Sequence, residues 1–123
     1  LAHPDRPVVA FTGDGGLMMA VAELQTAVRE RLPITIVVLD DEEIGLIRVK
    51  QEIKGIDRYG VGIGGMDWES LARGFGAEGV TVTSENELQD ALTKAKHTEQ
   101  VTVIAAKIDG SGYVDQFNAL REL

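Results

Sequence analysis

Thr12-Gly13-Asp14-Gly15-Gly16 combines the two features a phosphate site needs, glycines and the start of a helix. Glycines let the backbone approach an anion closely, and the unpaired N–H groups of a helix start point towards it. A carboxylate beside a phosphate repels it unless a cation lies between them. Asp14 therefore implies a divalent metal, and magnesium favours that mixture of carboxylate and phosphate oxygens. On its own the pattern is equally compatible with a plain tight turn after a strand. A second acidic group, Asp40-Asp41-Glu42-Glu43, follows another apolar run, and Asp41 comes 27 positions after Asp14. Ligands in open parallel sheets gather at the carboxyl ends of strands, so two adjacent strands can bring Asp14 and Asp41 to one metal. A solvated loop would explain the acidity but not its position at a strand end. Asp14 itself reads as an exposed strand-end residue.

The elements that must hold these residues are visible in the hydrophobic pattern. Three β-branched apolar runs, Val8 to Thr12, Ile34 to Leu39 and Val101 to Ile108, are continuous, as expected of parallel strands buried on both faces. A shorter run, Gly79 to Val82, reads as a fourth strand. Helical spacing of Leu17, Ala20, Val21, Leu24, Ala27 and Val28 predicts one helix from Leu17 to Arg31, stopped by Pro33. Leu88, Ala91, Leu92 and Ala95 predict another over Glu85 to Lys96, opened by a Ser84/Glu87 capping box. Asp67 is placed to cap a short helix holding Leu71, Ala72 and Phe75, which Gly76 can end. Strands alternating with helices argue for an α/β fold with a parallel sheet. Between Lys54 and Met66 lie Gly55, Gly60, Gly62, Gly64 and Gly65, a loop that suits a functional lid and a plain surface connection equally.

Composition narrows the classes. With 12 basic and 20 acidic residues, a net charge of -8 leaves no basic stripe for nucleic acid and no polybasic membrane patch. There is no cysteine, which excludes thiolate ligands, a cysteine nucleophile and disulfides. No apolar run is long enough for a membrane helix and no signal peptide is recognisable, so the cytoplasm is the default location. The chain starts Leu1-Ala2-His3-Pro4, without methionine and close to the first strand, and reads as a piece of something larger.

Gly13-Asp14-Gly15, an interval of strand and helix, then Asp40-Asp41 with Glu43 two positions on, resembles the thiamine-diphosphate motif, which opens Gly-Asp-Gly and closes roughly thirty residues later with Asn-Asn. The stretches Ala22 to Arg29, Leu32 to Ile34, Gly45 to Arg48 and Gly112 to Phe117 are similar to the acetolactate-synthase-like branch of thiamine-diphosphate-dependent enzymes. The likeness runs from about Pro4 to the C-terminus. It implies a three-layer sandwich with a central parallel sheet, residues 1–123 forming a C-terminal thiamine-diphosphate-binding domain that is incomplete at its N-terminus and part of a longer chain. By the same resemblance Asp14 and Asp41 bind magnesium through their side chains and Glu43 through its backbone carbonyl. Gly13, Gly15 and Gly16 shape the turn that holds the diphosphate, and Leu46 and Ile47 line the substrate side of the cofactor. The departure is Asp40-Asp41 in place of Asn-Asn, which keeps an oxygen ligand but adds negative charge beside the diphosphate.

The resemblance also implies what this chain lacks. The glutamate that activates the aminopyrimidine belongs to a pyrimidine-binding domain of the same or a partner subunit, so no catalytic residue is assigned here and the chain alone is expected to be inactive. The expected role is to anchor the magnesium–diphosphate end of the cofactor in a homo-oligomeric lyase or transferase that decarboxylates and joins 2-oxo acids. The alternatives are a non-catalytic binding or structural domain that keeps the fold, and an unrelated phosphate-binding α/β domain. His3, His97 and Glu23 read as surface or structural residues, Trp68 and Phe75 as packing of the short helix. Ser111 lacks the setting of a nucleophile elbow.

Overall fold

In the computed structural model, residues 6–121 are described, and His3 and the rest of the N-terminal five lie outside them. Four strands form one parallel sheet: β1 (Val8–Gly13), β2 (Ile34–Asp40), β3 (Glu78–Val82) and β4 (Thr102–Lys107), in the order β1-β2-β4-β3. Side chains alternate between faces along each strand. Ile34, Ile36 and Val38 of β2 and Val103 and Ala105 of β4 pack on one face, Val37, Ile104 and Ala106 on the other. The first face is covered by α1 (Asp14–Ala20), α2 (Glu23–Arg29) and α4 (Trp68–Phe75) through Leu17, Leu24, Ala27, Trp68 and Ala72. The second is covered by α5 (Glu85–Ala95) through Leu88, Ala91, Leu92 and Ala95. Helices on both faces of a parallel sheet make the expected three-layer α/β sandwich.

Position in the sheet decides burial. The central strands β2 and β4 are buried, as their continuous apolar runs predict. β1 is not: it is an edge strand, and Val8, Val9 and Phe11 are 49%, 47% and 65% exposed. An apolar run cannot reveal which strand lies at the edge, and the expectation of burial on both faces is corrected for β1.

The first helix also departs from the pattern. It starts three residues earlier than Leu17, with Gly13 as N-cap, so Asp14, Gly15 and Gly16 form its first turn. Around Val21 and Ala22 the backbone stays right-handed, but Leu24 and Gln25 N–H groups bond to carbonyls three residues back, tightening the turn and dividing α1 from α2. The end falls at Arg29, with Arg31 in the left-handed region (φ 51) ahead of Pro33. Asp67 and Gly76 cap α4 as expected, Asp67 accepting from Ser70 N–H and Gly76 standing at φ 83. Ser84 accepts from Glu87 N–H, and the Glu87 carboxylate takes its shortest bond from Thr83 N–H at 2.7 Å, with Ser84 a weaker partner. Two helices have no counterpart in the expected pattern: α3 (Gly45–Ile53) and α6 (Tyr113–Arg121), which pack on each other. The Gly-rich segment between Lys54 and Met66 is a loop, as expected.

Candidate functional site

The β1–β2 register pairs Gly13 with Leu39, so both strands end at the same rim of the sheet. Asp14 therefore opens α1 directly beside the loop that leaves Asp40. It is 3% exposed, which corrects its reading as an exposed residue. Its Oδ1 accepts Gly15 N–H at 2.6 Å and its Oδ2 accepts Glu42 N–H at 2.7 Å. These two bonds tie the glycine turn to the acidic loop, and each oxygen keeps a further lone pair for a cation. Glu42 meets Asp14 by adopting φ 61, a left-handed conformation uncommon for a residue with a side chain.

Asp41 lies next along the loop. Its Oδ2 is buried without a hydrogen-bond partner. Two glycines make that crowding possible, since a Cβ on Gly110 would stand 2.9 Å and one on Gly45 3.2 Å from this oxygen. Burial first, then the Asp14 charge, raise the Asp41 pKa above its ordinary value. An unpaired, desolvated carboxylate oxygen beside a second carboxylate is an arrangement that a bound cation would relieve.

Glu43 is bridged in antiparallel fashion to Gly62 of the glycine loop. The hydrogen bonds of that bridge come from its neighbours: Ile44 N–H donates to Val61 at 2.7 Å and Ile63 N–H donates to Glu42 at 2.9 Å. In such a pairing the residue between them turns its own N–H and C=O away from the partner segment, so the Glu43 carbonyl faces away from the glycine loop. Its side chain pairs with the buried Arg48, Nε to Oε2 at 2.6 Å. Arg48 Nη2 also donates to the Gly110 carbonyl at 2.6 Å, and its guanidinium lies 5.8 Å from the centre of the Tyr113 ring. One buried arginine thus joins the acidic loop, α3 and the segment leading into α6. Burial, followed by the Asp41 and Asp14 charges, raises the Tyr113 pKa.

Behind this rim Asp40 is buried, its Oδ2 accepting from Trp68 Nε1 at 2.9 Å and lying 2.9 Å from Lys107 Nζ. Lys107 also reaches Glu42 Oε1 at 2.7 Å, and hydrogen bonds to Glu42 and then Asp40 raise its pKa. Trp68 packs the core as expected, and it also supports the acidic loop, a role its sequence setting did not suggest.

A cleft of about 640 Å³ opens over these groups. Gly13, Asp14, Gly15, Gly16, Asp41, Glu43 and Leu46 line it, together with Met18, Met19, Leu39, Ile44, Gly45, Ile63, Gly64, Met66, Trp68 and Tyr113. A Cβ on Gly13 would meet nothing within 4 Å, and one on Gly15 only Ile63 Cδ1 at 3.9 Å, so the turn borders open space. Ile47 is 44% exposed and is not among the lining residues. His97 is exposed, Glu23 opens α2 at the surface, and the Ser111 hydroxyl bonds to Asp109, all consistent with structural roles. The site residues that sequence reasoning missed are Met18, Met19, Ile63, Met66, Tyr113, Arg48 and Lys107. Lys107 had a signal, a lone charge at the carboxyl end of an apolar run, the same placement as Asp14 and Asp41. Arg48 and Tyr113 fall in the stretches that carry the family likeness, Gly45 to Arg48 and Gly112 to Phe117, but their residue types alone assign them no role at the site.

A chemistry follows from this arrangement. Two carboxylates, Asp14 and Asp41, lie close enough to repel one another at the start of a glycine-rich helix turn, and such a pair suits a hard divalent cation shared with phosphate oxygens. The apolar wall from Met18, Met19, Leu46, Ile63 and Met66 suits an organic group attached to that phosphate.

Residues 1–106 match the family model described as thiamine pyrophosphate enzyme, C-terminal TPP binding domain. The chain is 38% identical over 108 residues to the putative thiamine pyrophosphate-containing protein YdaP of Bacillus subtilis, covering 88% of this chain and 19% of that protein. It is 33% identical over 118 residues to the acetolactate synthase of Bacillus subtilis, covering 96% of this chain and 20% of the synthase. Among solved structures, the thiamine diphosphate-dependent 4-hydroxybenzoylformate decarboxylase of Rhodococcus jostii superposes with a TM-score of 0.81 at 27% identity, covering 89% of this chain and 21% of that one. The benzoylformate decarboxylase of Polynucleobacter necessarius gives a TM-score of 0.83 at 26% identity, with the same coverage. The chain therefore spans about a fifth of the length of the relatives it matches.

Proposed function

This chain belongs to the thiamine pyrophosphate enzyme family, as a C-terminal TPP-binding domain, and from that premise we propose that its acidic rim binds magnesium and the cofactor's diphosphate in an enzyme acting on 2-oxo acids. Asp14 and Asp41 hold the metal by their carboxylates and Glu43 by its carbonyl. The observation that carries this reading is the buried, unpartnered Asp41 Oδ2 beside Asp14. Gly13, Gly15 and Gly16 shape the turn at the start of α1 that borders the diphosphate. Leu46 and the methionines of α1 exclude water from the ring end of the cofactor, and Ile47, beside Leu46 on α3, faces the substrate side once the rest of the enzyme is assembled. When bound, the thiazolium ring supplies the carbanion chemistry.

Residues 1–123 act as the C-terminal domain of a longer polypeptide. The pyrimidine-binding domain, from the same or a partner subunit of a homo-oligomer, brings the group that activates the aminopyrimidine. The substrate class follows the relatives: acetolactate synthases argue for decarboxylation joined to carboligation, and benzoylformate is itself a 2-oxo acid. No described helix is long and apolar enough to cross a membrane, and we place the enzyme in the cytoplasm. The acidic pair at 40 and 41 does not favour a cofactor-free role, because the Asp40 charge is met by Lys107.

Asp14→Asn tests the metal assignment, since it removes the charge while keeping one acceptor oxygen, enough for Glu42 N–H or Gly15 N–H but not both. Changes to groups that merely orient metal ligands already cost about 10–100-fold in affinity, so loss of the carboxylate ligand is expected to weaken magnesium-dependent cofactor binding about 100-fold. The thermal midpoint should move by only a few degrees. Equal calorimetric affinity for variant and parent would remove Asp14 from the site.

A further inference from the structure

Lys107 ends β4 as the register partner of Asp40 across the β2–β4 pair. Its ammonium stands 2.9 Å from Asp40 Oδ2 and 2.7 Å from Glu42 Oε1, so it holds the residues on both sides of Asp41. Asp40 is 2% exposed, and its Oδ2 takes a second bond from Trp68. A carboxylate that buried is costly to keep ionised without a paired cation. Glu42 is fixed at its other end as well, its N–H on Asp14 and its carbonyl on Ile63 N–H. We propose that Lys107 is a positioning residue of the metal–diphosphate site: it cancels the Asp40 charge behind the metal position and clamps the loop segment that presents Asp41.

The role rests on the reading of Asp14 and Asp41 as the magnesium site, and it has a physical consequence. Without the ammonium, the Lys107–Asp40–Glu42 cluster would go from one net negative charge to two next to an anionic cofactor, and like charges at this range repel through a partly desolvated loop. Removing the Asp40 charge as well should take away most of that repulsion. A lysine acting only as packing would show no such dependence on its partner.

The test is made in the full-length protein, by calorimetric titration of thiamine diphosphate at saturating magnesium. Lys107→Met should weaken binding about tenfold, the lower end of the range for groups that orient metal ligands. Lys107→Arg, which keeps the charge, should stay within about threefold of the parent. Lys107→Met combined with Asp40→Asn should recover to within about threefold of Asp40→Asn alone, because coupled partners are not additive. Thermal midpoints without cofactor should follow the same order, and the charge-retaining and double variants keep the test readable should Lys107→Met fold poorly. The proposal is overturned if Lys107→Met binds like the parent, if Lys107→Arg is as weak as Lys107→Met, or if the double variant recovers nothing. Absence of magnesium-dependent binding in the parent would instead defeat the reading of the site, and this role with it.

Discussion

In the half of the molecule built from α4, β3, α5 and β4, the helix starts and turns are closed by their own residues. Asp67 caps α4, Gly76 ends it, Ser84 caps α5, and Val103, Ile104 and Ala105 are fully buried between the two helical layers. At the rim where β1 and β2 end, the same chain breaks those habits. Glu42 is left-handed, Asp41 keeps a buried oxygen unpartnered, Arg48 is a buried charge, and Met19 stands 88% exposed. Local consistency is what a foldable sequence shows where nothing else is required of it, and its violations gather where binding is. The first region supplies stability and backs the rim through Trp68 and Lys107; the second holds groups that a ligand would complete.

That division can be broken by experiment. Ile104→Ala removes a fully buried side chain of β4 remote from the acidic loop. It should lower unfolding free energy in urea by about 2–5 kcal/mol. Magnesium-dependent cofactor affinity of the folded fraction should stay within about threefold, since distant sites act independently. A large loss of affinity with little loss of stability would show that the two halves are not separate.

Asp41→Asn is a smaller effect with the opposite sign. The folded protein raises the Asp41 pKa, so the stability this group contributes is present in acid and lost as pH rises through that raised value. The asparagine variant escapes that loss. In EDTA its thermal midpoint should exceed the parent's at neutral pH, and the difference should shrink as pH falls into the carboxylate range. Solvent reaching the loop keeps the gain to about 1 kcal/mol or less. Affinity for free magnesium should fall, while affinity for the magnesium–cofactor complex should hold or improve. A variant less stable than the parent at neutral pH would mean that Asp41 is satisfied in the folded protein.

Much of this was legible in the sequence, for identifiable reasons. Strand cores, caps and the Asp14–Asp41 spacing are written locally, in residue type and interval. The edge position of β1 was not, because burial of Val9 and Phe11 depends on what lies beside them. The tightening at Val21 was hidden because the residues there suit a continuous helix. α3 was hidden in a stretch whose start, Ile44-Gly45, carries no side-chain cap. At the site, the metal-binding candidates could be named from the motif, but their burial could not. Asp14 is enclosed by Glu42, 28 positions away, and Asp40 is paired by Lys107 from another strand. Such pairings exist only once the sheet order is set.

In the proposed site the acidic rim and the glycine turn bind a metal–diphosphate unit together. Calorimetric titration of thiamine diphosphate into the full-length protein, once with magnesium and once with EDTA, tests it most directly. Saturable binding is expected in magnesium, and its loss in EDTA. Equal binding under both conditions, or none in magnesium, would contradict it.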